Sequence, residues 1–441
     1  MTRRSNRRDV TTRPHDQRSG LAPAPSRPQH VAVIGAGMVG LATAWHLARR
    51  GASVTVLEAE HVAAGASWGN AGWLTPAKTT PLPEPDVLRY GLRSLARPSS
   101  PLYVPPRADP TMIRFLGGFA RHCTRKAWAQ GMAAYAPLNN MALDAFDELA
   151  EHSPLLGQTP ADPFLMAFHT VEERDSALAD LRRSGGVRPV DLESLTGEQT
   201  QHVQPTLSGA VRAGISLSGQ RYINPPAFMS ALAEAAQAVG VELREGVSVN
   251  DIKDGADQVL ITDARGDAYR FDAVVIATGA HLADLAREHG VRRVVQAGRG
   301  YSFTVAGERI PTGPVYFPTQ RVACTPMTLN GEQRLRVAGM MEFRRPDEPL
   351  DPRRVAAIVE ATRDLFVGLD FSERRDVWVG SRPCTVDGLP LIGKTRSDRV
   401  FVAGGHGMWG IVLGPLTGRL LAEQILTGTA PTELHPFDPL R

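Results

Sequence analysis

The apolar positions fall into short blocks whose spacing changes along the chain. Residues 31–34 (Val-Ala-Val-Ile) run without polar alternation, as expected of a strand buried on both faces, and close-set glycines and a helical pattern to about Arg50 follow. Gly51 ends that helix and residues 53–57 predict a second strand, so the body opens on a βαβ unit. Residues 76–112 are crowded with proline and predict an excursion out of the sheet, while 113–185 predict mainly helix. A β/α pattern returns over 209–279, with an Ala-rich helix at 225–239, a strand at 241–243 and a run of strands over 247–276. Residues 295–345 alternate like a half-buried antiparallel sheet, and 351–367 predict a helix. The last part repeats the opening form: a strand at 400–402, a Gly-rich loop, and a helix over 414–426.

Composition narrows the class. At 441 residues the chain is about three times the usual single-domain length. Its 22% charged and 42% hydrophobic residues are those of an ordinary globular protein. The formal charge of +3 is misleading: residues 1–28 carry seven Arg against two Asp, which leaves 42 basic and 44 acidic residues in the body. A near-neutral body argues against a nucleic-acid partner. Residues 1–28, rich in Arg, Pro, Ser and Thr, are expected to be a disordered extension. Arg3-Arg4 and Arg7-Arg8 are pairs of the kind seen in export signals, but no apolar stretch follows them. The tail is read as solvated, with contact to anionic lipid as the alternative. Two uncharged runs, 28–48 and 400–418, are broken by glycines, so neither predicts a membrane span. Cys123, Cys324 and Cys384 lie far apart, which predicts neither a disulfide framework nor a cysteine metal site and suits a reducing, cytoplasmic setting. No metal site is predicted.

Chemistry enters with Gly35-Ala36-Gly37-Met38-Val39-Gly40, a G-x-G-x-x-G between a strand and a helix. Gly35 permits the tight turn, Gly37 lets backbone approach a pyrophosphate, and Gly40 allows close helix–strand packing, with phosphate at the helix N-terminus. Glu58, 23 positions after Gly35 at the end of the second strand, can accept hydrogen bonds from both ribose hydroxyls. These residues alone do not separate NAD from FAD. A second Gly/Ser-rich loop, Gly65-Ala66-Ser67-Trp68-Gly69-Asn70-Ala71-Gly72, suits a longer cofactor, and the strand 274–276 runs into Ala277-Thr278-Gly279, a common flavoprotein signal. The expected architecture is α/β (α+β overall). A Rossmann-like FAD-binding domain is assembled from 29–80, 205–290 and 380–432. A substrate domain with an antiparallel sheet and helices is built from 81–204 and 291–379.

With these motifs in place, the chain resembles the FAD-dependent D-amino-acid oxidoreductases, and most closely their bacterial D-amino-acid dehydrogenase branch. The resemblance covers roughly 29–430. It is carried by the N-terminal unit, by Asn70-Ala71-Gly72-Trp73-Leu74-Thr75-Pro76, by the spacing of Pro81, Pro85 and Val87, and by Arg299-Gly300-Tyr301. Its strongest part is Gly380-Ser381-Arg382-Pro383-Cys384-Thr385-Val386-Asp387-Gly388-Leu389-Pro390 with Gly404-Gly405-His406-Gly407. The resemblance implies non-covalent FAD, because Cys384 does not align with the attachment cysteine of related sarcosine oxidases. It puts the adenine half on Gly35, Gly37, Met38, Val39, Gly40, Glu58 and Ala59. Ala66, Ser67, Asn70, Ala71, Gly72 and Trp73, together with Val249, Ala277, Thr278 and Gly279, are implied contacts along the middle of the cofactor. Gly405, His406, Gly407, Met408, Trp409, Gly410 and Ile411 are implied to face the ring, with the dipole of a helix beginning near Gly414 at its N1–O2 edge.

The resemblance places Arg382 as the clamp for a substrate carboxylate, through two parallel hydrogen bonds that fix Cα–H over flavin N5. Tyr301 and Trp409 are candidates for shaping the pocket, and Asp387-Gly388 is read as a hairpin turn. Met408 stands where some relatives acting on small amino acids carry a second Arg, which argues against glycine as substrate. The implied reaction is hydride loss from a D-amino acid or cyclic secondary amino acid bound as the neutral amine, needing no side-chain base. The imine then hydrolyses to a 2-oxo acid and ammonia. The electron acceptor stays open between a quinone or other carrier, with peripheral contact at the inner membrane face, and O2. Alternatives at this point are a glycine/sarcosine-type amine oxidase, a flavin-binding subunit of a larger complex, and an NAD(P) dehydrogenase.

Overall fold

The computed structural model describes residues 27–88, 100–105, 109–183 and 191–441. The extension expected over 1–28 lies, up to residue 26, outside the described residues. Among the described residues, six strands form a sheet in the order Glu242–Arg244, Ser53–Leu57, His30–Ile34, Ala273–Ile276, Val400–Gly404 and Leu391–Lys394. The first five are parallel and Leu391–Lys394 closes the edge antiparallel. Helices cover one face: Met38–Arg49, Pro225–Ala238 and Gly410–Thr427 bury their apolar sides with Val31, Val33, Val54 and Val275. A small antiparallel sheet of Val249–Asp254, Val259–Asp263 and Ala268–Phe271 covers the other. With both faces covered, the central strands are apolar at nearly every position, which is why they read as runs.

The second layer is a sheet that is nine-stranded among the described residues. Its path runs Leu369–Thr385, Val295–Gly307, Glu332–Phe343, Val322–Leu329, Val315–Phe317, Phe164–Phe168, Ala213–Leu217 and Leu192–Thr196, with Leu102–Tyr103 beside Glu332–Phe343. Its core holds Tyr301, Phe303, Val305, Phe317, Leu335 and Val337.

Several sequence-based boundaries differ from this. Strand Ala213–Leu217, expected in the FAD-binding domain, pairs with Phe164–Phe168 in the large sheet, and Gln220–Tyr222, expected there too, pairs with Thr159–Ala161 as well as with Trp73–Leu74. Helix Arg125–His152, expected in the substrate domain, packs Leu138, Ala142, Phe146 and Leu149 into the core of the parallel sheet. A helix's apolar stripe says that it packs, not on which core. The boundary at 380 falls inside the single strand Leu369–Thr385. Strands Thr159–Ala161 and Phe164–Phe168 interrupt a stretch expected to be mainly helical. The helix expected over 351–367 is α-helical over Pro352–Thr362 and ends in a 3-10 turn, Arg363–Leu365, beyond which Phe366 bridges to Leu207. Asp387-Gly388 does form a turn, but it joins strands of different sheets, so it is no hairpin. Asp387 is instead gripped by Arg441 through Nε (3.1 Å) and Nη2 (3.2 Å).

Candidate active site

The glycines behave as their spacing implies. Gly35 has φ +108°, and a Cβ there would lie 2.6 Å from the Ala277 carbonyl oxygen, so the turn after the first strand is pressed against the Ala277–Gly279 strand end. A Cβ at Gly40 would overlap the carbonyl of Gly35. At Gly37 a Cβ would meet only Ser67 Oγ, at 3.5 Å, leaving room for a ligand. Helix Met38–Arg49 starts without a side-chain cap on Gly37, and the Met38 amide donates to Ser67 Oγ (3.2 Å). Uncapped amides at a helix start form an anion site.

Glu58 closes the same loop. Its carboxylate accepts from the amides of Ala36 (2.7 Å) and Glu60 (3.0 Å), which positions it at the edge of the glycine turn with lone pairs to spare. Ala59 beyond it is exposed. The Val247 amide donates to the Glu58 carbonyl (2.8 Å), bringing the start of strand Val249–Asp254 alongside. Asn70 Oδ1 accepts from the Gly72 amide (2.9 Å), and Gly72 has φ +76°. The Thr278 hydroxyl is buried with no partner, an orphan of the kind a ligand satisfies, next to Gly279 at φ +57°. Gly35–Gly40, Glu58, Ala277–Gly279 and Gly405–Ile411 all follow the carboxyl ends of neighbouring parallel strands, the standard location of a nucleotide in an open α/β sheet. The residues present therefore fit a dinucleotide.

The last helix begins at Gly410, not near Gly414 as its pattern suggested. Gly414 and Gly418 lie within it and serve packing: a Cβ at Gly414 would be 2.5 Å from Met38 Cγ, and one at Gly418 would be 2.6 Å from the backbone of Ala42 and Thr43. His406 is buried, and its Nε2 is 3.0 Å from Thr417 Oγ1 on this helix. Burial pushes its pKa down to about 4, so it is neutral. It does not line the cavity described next, and neither do Val249, Gly405, Gly407, Gly410 or Ile411; Met408 and Trp409 do.

A cavity of about 410 Å³ lies between the 66–73 loop and the large sheet. Ala66, Asn70, Ala71 and Trp73 line it from the loop, and Tyr301, Tyr316, Trp378 and Arg382 from the sheet. Arg382 is half-buried, and its Nη1 donates to the Met340 carbonyl (2.7 Å). Burial lowers its pKa from the usual guanidinium value, the condition of a cation that an incoming carboxylate would relieve. Two backbone features give it that place. A Cβ at Gly300 would overlap the guanidinium. The register between Val295–Gly307 and Glu332–Phe343 shifts at Arg299/Tyr301, where Met340 takes φ +66°, a left-handed conformation that non-glycine residues seldom adopt.

Tyr301 presents its ring to the cavity while its hydroxyl donates to Glu342 Oε2 (2.6 Å), so its polar end is already used. Glu342 is fully buried and also holds Arg344 Nε (2.7 Å) and Arg354 Nε (3.2 Å). Trp409 is fixed through its Nε1–H to the Thr80 carbonyl (2.7 Å). Trp378, Tyr316, Lys78, Met340 and Glu342 were not anticipated. Only Glu342 carried a signal, a lone carboxylate in the apolar run 337–343. Cys384 is buried in its strand and its thiol is pushed up to about 12 by burial. No helix among the described residues is long and apolar enough to cross a membrane.

Comparison with known proteins agrees with this geometry. The family described as FAD dependent oxidoreductase matches residues 30–424. A D-amino acid dehydrogenase of Cereibacter sphaeroides is 30% identical over 410 residues, covering 91% of this chain and 92% of that one. Among solved structures, glycine oxidase from Geobacillus kaustophilus is similar with a TM-score of 0.71 and 24% identity, over 94% of this chain and 99% of that one. Iminodiacetate oxidase from Chelativorans sp. BNC1 has a TM-score of 0.67 and 18% identity, over 93% and 98%. With a cradle that fits a dinucleotide and a family match along most of its length, the chain belongs to the FAD-dependent oxidoreductase (DAO) family, and its cofactor is FAD.

Proposed function

We propose that this protein oxidises a D-amino acid, or a cyclic secondary amino acid of that configuration, to an imine; water converts an acyclic imine to a 2-oxo acid and ammonia, and opens a cyclic one to an amino-2-oxo acid that keeps its nitrogen. Arg382 carries the reading: a half-buried guanidinium on the wall of an otherwise largely apolar cavity, tied to one carbonyl and with further donors for a carboxylate. The D configuration follows the curated dehydrogenase relative. When bound, FAD accepts the two electrons of the substrate Cα–H bond. Arg382 holds the α-carboxylate and so limits the positions that Cα can take. Tyr301 and Trp409, anchored from behind, wall the cavity and reduce the water around the amine. No carboxylate or histidine lines the cavity among the described residues, so the substrate enters as the neutral amine, its lone pair assisting loss of hydride. Met408 on the wall favours a substrate with an apolar portion over glycine.

The dehydrogenase relative favours an acceptor other than O2, a quinone or similar carrier. FAD is held non-covalently, since the Cys384 thiol is buried and resists ionisation. The test is anaerobic mixing of the purified flavoprotein with a panel of D- and L-amino acids, followed by loss of flavin absorbance, with a dye or O2 then supplied alone. Bleaching by D-amino acids, with kcat/KM rising with pH until the amine is deprotonated, is expected. Bleaching by L-isomers only, or by none of the panel, would remove the proposal.

A further inference from the structure

The cavity extends well past Arg382, and its far end is built from residues that the reaction at Arg382 does not use. Tyr316, Ala323, Ala338, Ser302 and Trp378 lie opposite one another on five adjacent strands of the large sheet. Tyr316, Ala323, Ala338 and Trp378 all line the cavity. Strands lie about 4.8 Å apart, so Tyr316 and Trp378 stand roughly 19 Å apart with two alanines between them, which makes a trough across the sheet. Arg382 occupies one part of this trough, its guanidinium against Gly300 and Met340 on the Val295–Gly307 and Glu332–Phe343 strands.

Lys78 occupies the other part, its Nζ 5.2 Å from the centroid of the Tyr316 ring. Tyr316 is two to three strands from the guanidinium, roughly 10–14 Å across the sheet. Trp73 braces this corner edge-on to Tyr316, at 5.4 Å between centroids, with its own Nε1–H tied to Thr325 Oγ1 (2.8 Å). The cavity wall is thus mainly apolar with cationic side chains on it, Lys78, Arg321 and Arg382, and no carboxylate lines it among the described residues.

We propose that Lys78 is a specificity-determining residue that takes the side-chain carboxylate of the substrate, so that the preferred substrates are D-amino acids with an acidic group two or three methylenes beyond Cα. This rests on the assignment of the α-carboxylate to Arg382 under Proposed function. A molecule with a carboxylate at each end, once a charge-assisted hydrogen bond is allowed at each, reaches about as far as the sheet sets the guanidinium from Tyr316, the ring against which the Lys78 ammonium lies. A neutral side chain of the same length would leave the ammonium desolvated with no anion in the cavity to meet it.

The groups facing Lys78 decide its charge. Burial is the largest influence and lowers its pKa to about 8, while Glu84 and Asp180 act in the opposite sense. Arg321 acts on Glu84, and the Tyr316 ring lies against the ammonium. Lys78 is therefore mostly protonated at pH 7, and the preference for an acidic side chain fades as pH rises through about 8.

The experiment compares D-glutamate with its neutral isostere D-glutamine in anaerobic flavin reduction by the holoenzyme. A kcat/KM at least tenfold higher for D-glutamate at pH 7 is expected, and Lys78→Gln is expected to lower that ratio at least tenfold. Binding of glutarate against butyrate, followed by the shift they cause in the oxidised flavin spectrum, tests the same point on the unaltered protein and without turnover; tighter binding of glutarate is expected. Flavin reduction by D-glutamine as fast as by D-glutamate, glutarate bound no better than butyrate, or an unchanged ratio in Lys78→Gln would each overturn the role of Lys78, while leaving D-amino-acid oxidation standing. Failure of every D-amino acid to reduce the flavin would take down both.

Discussion

Gly300→Ala separates the position of Arg382 from its presence. The added methyl would overlap the guanidinium carbon and both terminal nitrogens of Arg382. Nonbonded heavy atoms prefer about 3.5–4.0 Å, so the guanidinium has to move by roughly 1 Å or more. It is the far end of a flexible side chain, and Gly300 is not in a left-handed conformation, so the backbone can stay in place. The folding cost is correspondingly small, mainly loss of the Nη1 hydrogen bond to Met340, or about 0.5–3 kcal/mol. The functional cost is larger: a misplacement near 1 Å at a positioning group is worth about 100-fold in rate. Gly300→Ala should therefore retain FAD and keep a Tm within a few degrees of the parent, while anaerobic flavin reduction by the best D-amino acid falls about 100-fold in kcat/KM. A variant that keeps FAD and reduces it at the parental rate would show that Arg382 does not position the substrate.

Other parts of the molecule give sharper stability tests. Glu342→Gln removes a fully buried charge shared by Arg344 and Arg354; because Arg344 keeps Glu348 (2.9 Å), the cost in chemical denaturation should be at the low end for a broken buried pair, about 3 kcal/mol, and an unchanged midpoint would show that the fold does not need this charge. Gly418→Val drives a side chain into the backbone of Ala42 and Thr43, forcing apart the two helices that flank the FAD cradle. A loss of about 1–3 kcal/mol and faster release of FAD on dilution are expected, and FAD retention equal to the parent would count against the helix contact as a support of the cradle. His406 and His46, both buried, have pKa values lowered to about 4 and about 3, with burial the first cause in each. The unfolded chain takes up protons below about pH 6.5, before either folded histidine does, so stability is full above that pH and falls as pH drops toward 4, by about 3 kcal/mol for His406 alone. His406→Gln should flatten that slope in urea denaturation measured from pH 7 to pH 4, and an identical slope would dismiss the assignment.

What the amino-acid sequence determined by itself is the local geometry. Gly35, at φ +108°, and Gly40, pressed on the Gly35 carbonyl, had to be glycine for backbone reasons confined to six residues, and Glu58 followed at the end of the next strand. The apolar runs at 31–34, 274–276 and 400–402 were legible as buried parallel strands because each faces a covered layer on both sides. Even the convergence of three separated stretches could be read, since each repeats the same strand–glycine form. Tertiary structure decided the rest. Strand Ala213–Leu217 carries the same apolar pattern whichever sheet accepts it, and the apolar stripe of helix Arg125–His152 does not name the core it packs on. The surroundings of Arg382 come from Gly300 and the left-handed Met340, and the far end of the cavity from Lys78 set on Tyr316, residues 238 positions apart. Such pairings arise from strand register and from the folding of one layer onto another, and hydrophobic periodicity, which reports only which face is buried, carries no record of them.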